Sequence, residues 1–296
     1  MSPRAWLAFA AVSVLWGMPY LFIRVALEGG TPALFLAWVR IALAAVIVGV
    51  MAWRAGVLPS LRGRWRWLAA FAIPEISIPF PMIALGERHV ASSLAAIVVS
   101  TVPLIIALLA LRFDHAERVD RRRFVGLVVG FGGVVALVGI DVVGRAQELL
   151  GVGLILIAAT GYAIGPMIFN RRLADLDARA TMAAALAIGA VILAPAGLLD
   201  APTHVPSAKA LAALAVLVVF CTVAAFLIYA TLVREVGPGR AAVITYIAPI
   251  VALGLGVVAL DERPGVGALA GLALILAGSW IATRGRRVPV AVREGA

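Results

Sequence analysis

Cysteine occurs once in this chain, at Cys221 within an apolar run, which excludes a disulfide framework and any Cys-based metal motif. Histidine is nearly as scarce: His89, His115 and His204 fall in or beside loops, far apart in sequence. There is no His-Glu-x-x-His, no Gly-x-Ser-x-Gly and no glycine loop followed by Lys, so the common metalloenzyme, hydrolase and nucleotide sites are not encoded. The longest polar loops run to about a dozen residues, which leaves no room for an ATP-binding domain. No enzyme chemistry, cofactor or metal is expected. Lysine appears once, at Lys209, against 24 arginines, a bias that favours a bacterial source with GC-rich coding. Charge is thin overall: 14% of residues, against 64% hydrophobic and a mean hydropathy of +1.08. A soluble core has no use for that much apolar surface, whereas lipid accepts it.

The hydrophobic residues gather into ten stretches, at 6–27, 32–53, 66–86, 90–111, 124–140, 149–169, 180–199, 208–232, 241–260 and 266–283. Each is near twenty residues, enough for a helix rising ~1.5 Å per residue to cross a hydrocarbon layer of ~30 Å. The loops between them alternate in charge. Nineteen basic residues, from Arg4 through the 284–293 tail, fall on one side, and only Arg88, Arg145, Lys209 and Arg263 on the other. Short Arg-rich loops stay cytoplasmic, so both termini are expected inside a bacterial inner membrane. The +10 net charge is spread over six such segments, which fits topology and anionic headgroups rather than nucleic acid. The first stretch is too long for a secretory signal and lacks a small-residue cleavage site, so it reads as an uncleaved span.

Shifted by about 146 residues, the chain overlays on itself. Ser100 through Pro103 meets Tyr246 through Pro249, and Ala95–Ala96 meets Ala241–Ala242. At a shift of 145, Glu117–Arg118 meets Glu262–Arg263, Gly126 meets Gly271 and Gly133 meets Gly278. Two units follow: residues 1–145 and residues 146–296, the second ending in a short basic tail. Five spans per unit is an odd number, so the second unit enters the membrane inverted. Inverted repeats are a transporter architecture, with a midplane site exposed to either side by rocking one unit against the other. A channel fits less well, because no re-entrant filter segment or ring-like polar repeat is visible.

Trp16–Gly17 with Arg24, then Pro32 and Arg40, then the Pro103, Glu117–Arg118, Gly126, Gly133 series resemble one half of an EamA-type transporter of the drug/metabolite transporter superfamily. Pro249, Glu262–Arg263, Gly271 and Gly278 resemble the other half. The resemblance implies a ten-helix bundle that exports small metabolites, often amino acids. Trp16–Gly17 meets only Tyr162–Ala163 in the second half, so the pocket is asymmetric.

Three charges fall at membrane depth, where each costs roughly 2.5–3.5 kcal/mol if it faces lipid. Glu75 sits near the midplane of the third span among Pro74, Pro79 and Pro81, which deprive nearby carbonyls of their helical donors. Two roles fit it: attraction of a substrate ammonium in a cavity, or a structural ion pair with Arg40 or Arg24. Arg40 and Arg24 themselves read as structural before substrate-binding. The uncharged candidates for a substrate cavity are Trp16 and Tyr20 on the first span and Pro79 and Met82 on the third, with Ser100 on the fourth. Tyr162 and Asn170 on the sixth, Thr222 and Tyr229 on the eighth, and Tyr246 on the ninth complete the set. Glu75 overlays Cys221, so the acid exists on one side of the pseudo-axis only. Glycines at four-residue spacing (Gly126–Gly130, Gly161–Gly165, Gly267–Gly271) allow close helix approach, within one chain or across a homodimer. The expected cargo is an amino acid, neutral or aromatic, or a similar zwitterion, with a lipophilic cation as the alternative.

Overall fold

The computed structural model describes residues 1–113 and 121–283, which leaves His115, Glu117–Arg118 and the basic tail from Arg284 outside the described residues. Among those described, nine helices are long and apolar enough to cross a membrane, and a tenth of 17 residues is equally apolar. In chain order they are α1 (Pro3–Glu28), α2 (Ala33–Arg54), α3 (Trp65–Gly86), α4 (Ser92–Val99 and Val102–Phe113) and α5 (Arg121–Val142). The second five are α6 (Ala146–Arg172), α7 (Ala178–Leu199), α8 (Ala208–Val236), α9 (Ile244–Leu260) and α10 (Val266–Thr283).

Local chemistry sets the ends. Ser2, Asp177 and Ser207 precede α1, α7 and α8 and accept backbone N–H bonds from Ala5, Arg179 and Ala210, satisfying donors that a helix start leaves open. Pro3 sits where its missing N–H costs nothing. Prolines inside the spans act differently. The chain bends at Met18 before Pro19, and α4 breaks at Ser100–Thr101 before Pro103. Around Pro74 the third helix widens into a π-turn, Ile73–Ser77.

The packing is paired in the way a duplication demands. Helices α5 and α10 lie against each other, as do α2 and α7; α3 packs on α6 as α8 packs on α1. The α5–α10 contact is backbone on backbone. A Cβ on Gly133 would lie 2.8 Å from the Gly271 carbonyl oxygen, and one on Gly126 2.7 Å from that of Gly278. Helices in lipid gain little from the hydrophobic effect and associate through such close packing. The glycine series on the fifth and tenth spans is therefore used inside one chain.

Two faces terminate the bundle. On one, the arginine-rich loops meet: Arg64 bonds Asp175 at 2.5 Å and the Arg172 carbonyl at 2.9 Å, Arg172 lies over the Trp67 ring, and Ser2 bonds Glu235. On the other, acids in a loop or at a helix end hold the starts of neighbouring helices. Asp200 accepts from Leu34 N–H at 2.9 Å, Asp141 from Ala268 at 2.6 Å, and Glu262 from Ser92 and Ser93 at 2.7 and 2.9 Å.

Candidate functional site

Glu75 sits within the π-turn of α3. A π-turn inserts one residue into the helical ladder and re-aims the side chains beside it. Here it presents Glu75 to α6, where small residues make the room: a Cβ on Gly161 would lie 3.1 Å from Pro79 Cγ, and one on Gly165 would strike the Glu75 carboxylate. Glu75 Oε2 is buried and has no hydrogen-bond partner among the described residues. Tyr162 of α6 and Tyr229 of α8 lie within electrostatic reach of it. Tyr229 in turn stacks on Trp16 at 4.6 Å between ring centroids, with Phe226 edge-on to the same indole at 6.0 Å. One carboxylate thus faces an aromatic wall contributed by both repeats.

Arg40 approaches the same region from α2. Its Nε donates to Thr222 Oγ1 at 3.0 Å, and the Thr222 hydroxyl donates to the Leu217 carbonyl at 2.8 Å. Leu217 lies five residues back because α8 carries its own π-turn, Val219–Ala224. The guanidinium also lies over the Phe80 ring at 4.7 Å, and Tyr20, Tyr162 and Cys221 are within its electrostatic reach. No ion pair joins Glu75 to Arg40 or Arg24 among the described residues. Arg24 instead pairs with Glu28 at 2.8 Å and donates to the Glu87 carbonyl at 2.6 Å.

The structure therefore brings together Trp16, Tyr20, Glu75, Pro79, Tyr162, Thr222 and Tyr229, with Arg40 alongside. Met82 is half-buried against the larger apolar core. Three candidates lie apart. Asn170 is exposed at the arginine-rich end of α6. Tyr246 bonds Thr283 at 2.8 Å near that same face. Ser100 donates to the Ile97 carbonyl at the break in α4.

Four acids that residue patterns did not single out for function also hold positions of consequence: Glu87, Asp141, Asp200 and Glu262. Their common signal is faint but present, since each lies in or next to an arginine-poor loop beside a helix start. Glu262 is half-buried. Burial opposes its ionisation, but donation from Ser93 and Ser92 outweighs that and holds the carboxyl below its ordinary value.

The chain matches the model of the EamA-like transporter family twice, over residues 4–139 and 149–284. Among curated proteins it is 29% identical over 253 residues to the uncharacterized inner membrane transporter YedA of Escherichia coli, covering 84% of this chain and 80% of that one. It is 26% identical over 295 residues to a probable amino-acid metabolite efflux pump of Escherichia coli, covering 96% of both. An uncharacterized transporter of Archaeoglobus fulgidus is 23% identical over 290 residues, or 96% of this chain and 98% of that one. A solved crystal structure at 22% identity superposes with a TM-score of 0.67 over 96% of this chain and 97% of its own, which establishes the shared fold.

Proposed function

Since the chain belongs to the EamA-like transporter family, and so to a family of membrane transporters rather than enzymes, we propose that it exports small zwitterionic metabolites, amino acids first among them. The observation that carries this reading is the unpartnered Glu75 Oε2 facing Tyr162 and Tyr229. A buried carboxylate oxygen without a donor is costly, and a substrate ammonium would relieve that cost. The aromatic wall of Trp16, Phe226 and Tyr229 would take the apolar side chain. The similarity to a protein named as an amino-acid metabolite efflux pump supports the same cargo. In this reading the site lies between two units, 1–145 and 146–296, with the arginine-rich face and both termini on the cytoplasmic side of a bacterial inner membrane.

Movement follows by alternating access. The backbone is weakest where α3 and α8 carry π-turns and where α1 and α4 are interrupted, so these segments bend around the site. The glycine-packed α5–α10 pair stays as scaffold. A second reading rests on the same aromatics: Trp16 and Tyr229 beside one acid also suit a lipophilic cation.

Counterflow in proteoliposomes separates the two. Purified protein is loaded with each of a panel of amino acids and exchanged against labelled ones, with Glu75→Gln alongside. Saturable exchange that Glu75→Gln reduces by tenfold or more supports the proposal. Exchange that ignores the substitution removes Glu75 from the path, and exchange of lipophilic cations alone replaces the cargo.

A further inference from the structure

Glu87 is the first residue past α3, on the face opposite the arginine-rich loops. It has no exposed surface, and neither carboxylate oxygen has a hydrogen-bond partner among the described residues. The hydroxyl of Ser92, five residues on at the start of α4, is also buried without a partner. Leaving an ionised carboxylate in such a place costs several kcal/mol, which a protein avoids by protonating the group or pairing it.

The surroundings supply a reason for the unpaired state. Arg24 is near enough to neutralise Glu87, yet its Nε is held by Glu28 and its Nη1 by the Glu87 backbone carbonyl. The charged and titratable groups that act on Glu87 or respond to it are Arg24 and Tyr20 from α1, Arg40 from α2 and Glu262 from the loop before α10, with Arg88 and His89 following it in the chain. Glu262 is the one that matters for closure. Its two oxygens hold the Ser92 and Ser93 N–H groups, so it ties the last loop of the second repeat to a helix start of the first. A negative Glu87 would repel the very carboxylate that keeps this face shut, while offering Arg24 a better partner than a carbonyl.

We propose that Glu87 is a proton-binding gate residue: protonated while this face is shut, it releases its proton to open the face by repelling Glu262 and recruiting Arg24. Burial places the Glu87 carboxyl well above the ordinary carboxylate range, with Arg24 opposing and Glu262 adding to the shift. Opening on this side is thereby favoured by high pH and closure by low pH. The gate rests on the transport reading, since a face that opens is meaningful only around a translocated substrate.

The test uses the full chain in lipid nanodiscs, with spin labels on cysteines introduced at the exposed Arg88 and Arg263; Cys221 is 2% exposed and stays unlabelled. As pH is raised from acid to alkaline, a second and longer label-to-label distance is expected to grow in. Glu87→Gln, which mimics the protonated form, is expected to hold the short distance throughout. Glu87→Asp keeps a carboxyl and is expected to restore the response. Infrared difference spectra between the acid and alkaline states should show a protonated-carboxyl C=O band, lost as pH rises, that Glu87→Gln lacks. A distance that ignores pH in the otherwise native chain overturns the gate, as does a pH response that survives Glu87→Gln or a missing band. Amino-acid counterflow without the pH response sinks the gate alone, and a pH response without amino-acid counterflow supports the gate while removing amino acids as the cargo.

Discussion

Helices α5 and α10 meet through glycines that the repeat matches, whereas α3 and α8 carry matched π-turns but differ in the residue that those turns hold. The first pair meets through glycines on both sides, Gly126, Gly130 and Gly133 against Gly271 and Gly278. The second pair carries matching π-turns, Ile73–Ser77 and Val219–Ala224, but Glu75 stands in one and Cys221 in the other. Duplication has kept the scaffold symmetric and let the site diverge. The physical reason is that a glycine contact constrains both partners at once, since either backbone blocks a Cβ on the other. A side chain facing a cavity has no such reciprocal partner and is free to change.

The harshest way to break this comparison is to spoil the symmetric pair. A Cβ on Gly278 would meet the Gly130 and Gly126 backbones, so Gly278→Leu should cost about 3 kcal/mol or more and lower the melting temperature measured by scanning fluorimetry. A Gly278→Leu protein that melts like the native one would mean that the α5–α10 contact is not what holds the scaffold. Next in size is the asymmetric pair. Glu75→Gln should cut counterflow at least tenfold at unchanged thermal stability, whereas Cys221→Ala should stay within about twofold; a tenfold difference corresponds to about 1.4 kcal/mol of lost substrate interaction. Equal effects at both positions would erase the claimed asymmetry.

A subtler substitution acts on Glu75 through its neighbour. Gly165→Ala places a methyl against the Glu75 carboxylate, so apparent substrate affinity should weaken a few-fold while maximal exchange is retained. The smallest effect belongs to the closing loop. Glu262→Gln should lower stability by about 1 kcal/mol at neutral pH, the usual worth of a helix-start acceptor. Because the folded Glu262 carboxyl lies below its ordinary value, its contribution is complete above about pH 4.3 and is lost as pH falls through the folded value. The stability difference between Glu262→Gln and the native chain should therefore vanish in acid, as pH-dependent melting would show.

Much of this was legible before any coordinates. Apolar stretches of the right length mark the spans, because a helix in lipid must be apolar over a fixed distance. The register between Gly126 and Gly271 and between Pro103 and Pro249 marks the duplication. The site was only partly legible. Trp16 and Glu75 lie on helix faces that periodicity finds, Tyr162, Thr222 and Tyr229 follow from the repeat overlay, and these residues do meet. The same overlay also points to Asn170 and Tyr246, which lie at the arginine-rich end because it carries position along a span but not depth in the folded bundle. The π-turns were invisible, since proline near Glu75 announces a disturbed helix without saying how the ladder closes.

What the sequence determined by itself is the solvent, the span pattern, the repeat and the family, all of which depend on residue type along a line. Only the tertiary structure decided which charges are paired. Arg24 spends its donors on Glu28 and a carbonyl, Arg40 on Thr222, and Glu75 and Glu87 are left with buried, unpartnered oxygens. Pairing depends on which helix lies beside which and on ångström-scale reach, and neither quantity is written in the order of the residues.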